Sequence, residues 1–304
     1  MTLRRLQLPA VLALACVFAA PALADEPPAL SMGELLESSS PEYWREPKPE
    51  DTLYLELDTG RVIIELAPEF APAHAENLRT LAREHFWDGL AIYRSHDNFV
   101  VQWGDPGAEG ARRSIGSAHD ALPAEFERSA DGVEFHRLPD VDGWAPEVGF
   151  ASGFPAARDP EAGEAWLAHC YGMVGAGRGM EADSSIGTEL YAVTGQSPRQ
   201  LDRNITLVGR VVHGIELLSP MPRGPGPLGM YADPARNTPI RSVRLASEVP
   251  EDERTRMQLL RTGTPLFDAV VESRRNRHDD WYLRPAGHID LCNVPLPARI
   301  VDGE

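Results

Sequence analysis

Arg94, Phe99 and Gln102 stand within nine residues of one another in the stretch Tyr93-Arg94-Ser95-His96-Asp97-Asn98-Phe99-Val100-Val101-Gln102. A guanidinium is permanently charged, planar and donor-only, so it serves to bind electron density that develops during a reaction rather than to abstract a proton. Beside an aromatic ring and a neutral amide, it would sit as a polar donor at the edge of an apolar pocket. Taken singly, each has a plainer reading: Arg94 a solvated charge on a strand, Phe99 a core ring, Gln102 a surface amide. Other constellations are weaker. Gly175-x-Gly177-x-Gly179 lacks the dinucleotide spacing, and Glu181-Ala182-Asp183-Ser184-Ser185 after it has no apolar helical face, so a tight loop is expected. His96 with Asp97, and His136 with Asp140, show no zinc spacing and read as solvated loop residues. Ser, His and Asp are available, yet no G-x-S-x-G elbow presents a nucleophile.

The elements that must position the first group are short and mostly extended. Leu53, Leu55 and Leu57 alternate with polar neighbours, Asp58-Thr59-Gly60-Arg61 turns, and Val62, Ile64 and Leu66 alternate again, which predicts a β-hairpin. Beyond Pro68 and Pro72, the spacing of Ala75, Leu78, Leu81 and Ala82 predicts an amphipathic helix of about three turns. Trp87-Asp88-Gly89 ends it, and strands follow through Leu90, Ile92 and Arg94 and from Phe99 to Gln102, then a turn at Gly104-Asp105-Pro106-Gly107. Between about 128 and 169 neither period is sustained, and Asp140, Asp142, Pro146, Pro155 and Pro160 punctuate a stretch expected to be an insertion loop. Strands resume at 171–174, 190–193, 207–212 and 240–245, so an all-β barrel or sandwich is expected. Met257, Leu260, Leu266, Phe267, Val270 and Val271 fall at mostly helical intervals, broken by Gly263 and Pro265, and predict a C-terminal helical appendage.

The N-terminus reads as a secretory signal peptide, with Arg4-Arg5, an apolar run from Leu6 to Ala20 and Ala22-Leu23-Ala24 before Asp25. An uncleaved anchor would need about 20 apolar residues in a row. Lipidation at Cys16 is disfavoured because Ala13 stands where leucine is wanted. Cleavage after Ala24 places the protein in the periplasm or outside the cell, and residues 25–50, rich in Pro, Glu and Ser, read as a tether with one short helical turn around Met32–Leu36. The formal charge of -17 becomes -17 - 2 = -19 once Arg4 and Arg5 are removed. So acidic a chain repels phosphate backbones and anionic lipid heads, which argues against nucleic acid and against membrane insertion after signal removal. Cys170 and Cys292 remain; an oxidising compartment permits a disulfide, with two buried free thiols as the alternative.

The stretch Phe86-Trp87-Asp88-Gly89-Leu90-Ala91-Ile92-Tyr93-Arg94, followed by Phe99-Val100-Val101-Gln102-Trp103-Gly104-Asp105-Pro106, resembles the signature of the cyclophilins. Similar segments extend the resemblance over about 51–246: the opening hairpin, the helix through Glu76-Asn77-Leu78, Leu122-Pro123-Ala124-Glu125-Phe126, Gly172 to Arg178, Thr188-Glu189-Leu190-Tyr191 and Leu201-Asp202 with Val208-Gly209-Arg210-Val211. It implies a mainly β fold, an eight-stranded antiparallel β-barrel capped by helices, here with the long loop insertion at 128–169 and the helical appendage at 247–304. It implies rotation of X-Pro bonds in proline-containing polypeptides, with no metal or cofactor. Arg94, Phe99 and Gln102 take the catalytic positions, and Val100, Gly177, Glu189, Leu190, Tyr191 and Ile205 the substrate groove, with Phe99, Val100 and Leu190 around the proline ring. Several positions depart from the family pattern: Glu189, Leu190 and Tyr191 replace Gln-Phe-Phe, Ile205 a frequent histidine, Arg199-Gln200 a tryptophan before Leu201, and Ser95 to Asn98 the usual linker. These departures leave a rival reading open, a cyclophilin-fold binding module or chaperone.

Overall fold

The computed structural model describes residues 30–107, 112–196, 198–277 and 281–301; the expected signal peptide and Cys16 lie outside them. In chain order the strands are β1 (Trp44–Arg45), β2 (Thr52–Leu57), β3 (Gly60–Leu66), β4 (Ala91–Ser95), β5 (Val100–Gly104), β6 (Arg128–Ser129), β7 (Phe135–Arg137), β8 (Glu147–Ala151), β9 (Phe154–Asp159), β10 (Glu164–Leu167), β11 (Met173–Ala176), β12 (Glu189–Val193), β13 (Leu207–His213), β14 (Thr238–Leu245), β15 (Met257–Leu260) and β16 (Ala298–Ile300). The helices are α1 (Met32–Glu37), α2 (Pro72–Arg83), α3 (Ile215–Leu218) and α4 (Pro265–Arg275).

Eight strands close a barrel in the order β11-β12-β5-β4-β14-β2-β3-β13, every pairing antiparallel. Closure removes free sheet edges, and alternation sends one face of each strand inward. Leu53, Leu55, Leu57, Val62, Ile64, Val101, Trp103, Val174, Leu190 and Val208 fill the interior, joined by Leu78, Leu81 and Ala82 of α2. Ala71, at the N-terminus of α2, supplies no side-chain cap. Glu125 replaces one, accepting hydrogen bonds from Ala73 N and His74 N, each at 2.9 Å, and sitting 2.7 Å from His74 Nδ1.

Four expectations change outside the barrel. The insertion at 128–169 is a five-stranded antiparallel sheet, β6-β10-β9-β8-β7, and not a loop. Both its faces are largely covered, so buried residues follow one another along β8 and β9 and no period of two survives in the sequence. Ser152-Gly153, with both φ positive, is the two-residue hairpin connection between them. His136 sits 2.7 Å from Asp268, and Asp140 is buried against Arg275 and Ile289 N, so neither is a solvated loop residue.

Among its described residues the appendage is α-helical only over α4. Thr264 caps it by accepting from Phe267 N, and Pro265 begins the helix where its missing N–H costs nothing. Met257 to Leu260 instead form β15, which lays Met257 and Leu259 on the outward-facing Tyr54 and Ile63 of the barrel. The expected tether is folded from α1 onward: Ser31 and Glu34 make a capping box, Leu35 and Leu36 pack on the core, and buried Trp44 pairs with Leu260 in a three-stranded sheet, β1-β15-β16. Phe150 of the insertion meets Phe267 of α4 edge-on at 5.0 Å, and Cys170 and Cys292 form a disulfide, Cα–Cα 4.8 Å. No helix among the described residues is long and apolar enough to cross a membrane.

Candidate active site

On the outer face of the barrel, β4, β5 and β12 lie side by side, with Arg94 opposite Gln102 and Gln102 opposite Tyr191. A register shift between Ile92 and Arg94 brings both Tyr93 and Arg94 into this face's hydrogen bonding. Arg94 Nη1 donates to Gln102 Oε1 at 2.7 Å, Nε to Leu228 O at 2.7 Å, and Nη2 lies 3.2 Å from His96 Nδ1. Its Cζ stands 5.7 Å from the centroid of the Phe99 ring, which meets the His96 ring edge-on at 5.2 Å. Three of the five guanidinium N–H groups are thereby engaged and two remain. Burial pushes the Arg94 pKa down, against the pull of Tyr93 and Glu189, yet an arginine so placed stays charged at neutral pH.

Gln102 Nε2 completes the network, donating to Tyr93 Oη at 2.7 Å and Glu189 Oε1 at 3.1 Å, and Tyr93 also donates to Glu189. Burial, reinforced by the Glu189 carboxylate, pushes the Tyr93 phenol far up, so it stays a neutral donor. Gly177 closes the rim by donating to Glu189 O at 2.9 Å. A Cβ on Gly177 would lie 3.5 Å from Gln102 Nε2, so the backbone passes directly beside the amide.

The remaining expected groove residues separate. Leu190 points into the barrel with Val101, Trp103 and Val174, because β12 alternates and Glu189 and Tyr191 take the outer face. It is therefore no wall of a surface pocket. Val100 and Tyr191 are on the outer side but buried, at 2% and 4% exposure. Ile205 lines a small cleft with Phe70, Phe126, Leu167 and Leu207, without Arg94, Phe99 or Gln102.

Tyr191 is sealed by residues that local spacing does not reveal. Its hydroxyl is 2.9 Å from His169 Nε2 with the rings stacked, and His169 Nδ1 is 2.9 Å from Asp202 Oδ1. Arg199, in the position where a tryptophan is usual, donates to Asp202 at 2.6 Å and through both Nη atoms to Asp142 at 3.0 and 3.1 Å. Gly175 makes room: a Cβ there would fall 2.2 Å from the Tyr191 ring. Tyr93, Leu228 and this His169–Asp202–Arg199–Asp142 chain are the site's unforeseen members. His169 and Asp142 are 33 and 57 residues from their partners, so only the tertiary fold joins them.

The profile of the family "Cyclophilin type peptidyl-prolyl cis-trans isomerase/CLD" matches residues 52–245, which is the barrel with its insertion. A probable peptidyl-prolyl cis-trans isomerase of Brucella suis is 35% identical over 108 residues, 33% of this chain and 52% of its own length. A peptidyl-prolyl cis-trans isomerase of Schizosaccharomyces pombe is 41% identical over 56 residues, 18% of this chain and 36% of its own. This chain thus spans about half the length, or less, of these curated relatives. The crystal structure of the cyclophilin AquaCyp293 from Hirschia baltica superposes with a TM-score of 0.69 at 23% identity, covering 90% of this chain and 99% of the other. That coverage reaches beyond 52–245, so the fold is shared outside the barrel as well. The chain belongs to the cyclophilin-type peptidyl-prolyl cis-trans isomerase family.

Proposed function

We propose that the protein is a peptidyl-prolyl cis-trans isomerase acting on X-Pro bonds of exported proteins, and that Arg94 supplies the catalytic interaction. Amide resonance sets a barrier of about 18–20 kcal/mol to rotation of a peptide bond. As the X-Pro bond twists, the prolyl nitrogen pyramidalises and gains a lone pair. A donor that meets that lone pair is better satisfied in the twisted state than in either planar isomer, so it accelerates rotation in both directions. The single observation that carries the reading is the fixed guanidinium: Gln102, Leu228 and His96 hold Arg94 beside Phe99 with two N–H groups unspent. Phe99 is the apolar surface for the proline ring, and Gln102 both orients Arg94 and faces the substrate backbone. Nothing in this scheme calls on a metal or cofactor.

Export is supported by the N-terminal sequence and by the Cys170–Cys292 bond, since disulfides persist in oxidising compartments. A second reading rests on Tyr191 and Glu189: with Tyr191 sealed under His169 and Glu189 tied to Tyr93, the face beside Arg94 presents polar groups where the family pattern has aromatic rings, as suits a binding module with slow turnover. Isomerisation of a proline peptide by the protein and its variants separates the two. A preorganised donor is worth about 2.7–4 kcal/mol, so Arg94→Ala lowers kcat/KM roughly 100- to 1000-fold, and Arg94→Lys recovers little because an ammonium lacks the planar fork. Phe99→Ala reduces kcat/KM by loosening the hold on the proline ring. Circular dichroism should report intact folds throughout. Wild-type protein no faster than the uncatalysed reaction, or Arg94→Ala as active as wild type, would leave the binding-module reading in its place.

A further inference from the structure

A second concavity lies where β11 and β13 of the barrel meet the segment around Leu291 to Leu296, with an open volume of about 550 Å³. Pro155, Met173, Ile215, Leu291, Val294 and Leu296 give it apolar walls, and Arg210 is the one charged residue in its lining. Arg210 is only 6% exposed. Its Nε is sealed from solvent without a hydrogen-bond partner among the described residues, and its Cζ lies 5.9 Å from the centroid of the Phe154 ring. The nearest carboxylate oxygen, Glu65 Oε2, is 3.7 Å from Nε. Glu65 is already gripped through both oxygens by Arg45, at 2.5 and 3.0 Å. Two guanidiniums therefore share one carboxylate and one positive charge is left over. Burial pushes the Arg210 pKa down to about 10, which leaves it charged at neutral pH. The fold treats its other deeply buried arginine differently: Arg199 has three hydrogen bonds to two carboxylates. Buried charges are ordinarily paired, so one that only shares another arginine's carboxylate, beside an open groove, calls for an anion.

We infer that this groove is a binding site for a carboxylate carried on an apolar chain, with the carboxylate seated on the Arg210 guanidinium and the chain laid along the Leu291–Leu296 wall. One surplus positive charge matches one carboxylate, and the planar fork suits its two oxygens. A polyanion is disfavoured by the chain's formal charge of -17. A bare anion would leave the apolar walls in water. Two sources share the required chemistry: a fatty acid, and a peptide whose C-terminal residue is apolar.

Calorimetry on the chain with its disulfide intact, using octanoate and N-acetyl-Ala-Ala-Leu, tests the site. The controls are octanol, the same peptide as its C-terminal amide, and acetate. At least one of the two carboxylates should bind, and whichever binds identifies the source. Its uncharged counterpart should bind at least about tenfold more weakly and acetate should not register. Arg210→Met should raise Kd about 30-fold or more, the lower end of what loss of one partner from a buried charged contact costs. Methionine has the length to fill the space, and replacement of a buried charge by an apolar side chain is generally tolerated. Leu296→Asp carries the test independently by setting a like charge in the wall, and should also weaken binding. No heat from either carboxylate at millimolar concentration overturns the inference, as does equal binding of the alcohol or amide, equal binding of acetate, or undiminished affinity in a folded Arg210→Met.

Discussion

Arg199→Met tests whether the ion network behind Tyr191, on the outer face of the barrel, holds the insertion to the barrel. Arg199 is 4% exposed, and the side chains of its partners Asp142 and Asp202 are 7% and 8% exposed. Methionine keeps most of the volume and removes the charge, leaving two buried carboxylates without their cation. Breaking a buried ion pair from one side costs about 3–5 kcal/mol. Both carboxylates retain other donors: Asp142 accepts from Trp144 N and Ala145 N, and Asp202 from His169 N. The expected loss is therefore at the lower end, about 3 kcal/mol, despite two pairs being broken. Urea denaturation followed by tryptophan fluorescence and far-UV circular dichroism measures it. The same network should couple to the site, so Arg199→Met combined with Tyr191→Phe should depart from additivity by about 0.5 kcal/mol or more. A folded Arg199→Met within about 1 kcal/mol of wild type would show that the carboxylates are satisfied without it and would refute the reasoning.

Reduction of Cys170–Cys292, which spans 122 residues and ties the end of the insertion to the C-terminal segment, should lower stability by about 2–5 kcal/mol in urea titrations with and without reductant; coincident curves would contradict this. Acid should also destabilise the fold. Burial pushes Glu125 up, but the hydrogen bonds from His74 and the backbone of Ala73 and His74 outweigh it and hold its pKa below the ordinary 4.5. A depressed carboxylate contributes stability that is complete above its unfolded pKa and lost as pH falls through its folded one. Unfolding free energy should thus fall below about pH 4.5, less steeply in Glu125→Gln, and an identical acid profile in that variant would count against the capping role. Mass spectrometry of protein from its native host should give a chain beginning at Asp25, and retention of Met1 or a lipid on Cys16 would contradict cleavage after Ala24.

The parts of the fold that declared themselves in sequence are those with one dry face and one wet or differently packed face. The β2–β3 hairpin and α2 show it, since their interior residues repeat at two and at three or four. The insertion sheet fails that test because β8 and β9 are buried on both sides and Pro155 stands inside a strand, so pattern and composition both suggested a loop. The same cause hid β15, whose Met257 and Leu259 face the barrel while Leu260 faces the insertion side. Pro265 misled in another way: taken as a helix breaker, it is a helix starter, which only the capping of Phe267 N by Thr264 decides.

At the site, the same distinction explains what sequence can and cannot assign. Arg94 and Gln102 are eight residues apart across one turn, so their meeting follows from a local hairpin-like pairing of β4 and β5. The assignment of Leu190 needed the phase of β12, and one step in a strand exchanges the outer face for the barrel interior. Gln102, opposite both Arg94 and Tyr191, fixes that phase: whichever β12 residue faces Gln102 shares its side of the sheet, so Glu189 and Tyr191 face outward and Leu190 inward. Tyr191 then becomes the point at which the insertion reaches the candidate active site, because His169 at the insertion's end holds its hydroxyl while the neighbouring strand carries Gln102. A change in the insertion can therefore reach Arg94 through two packed residues, with no contact between the insertion and a bound peptide.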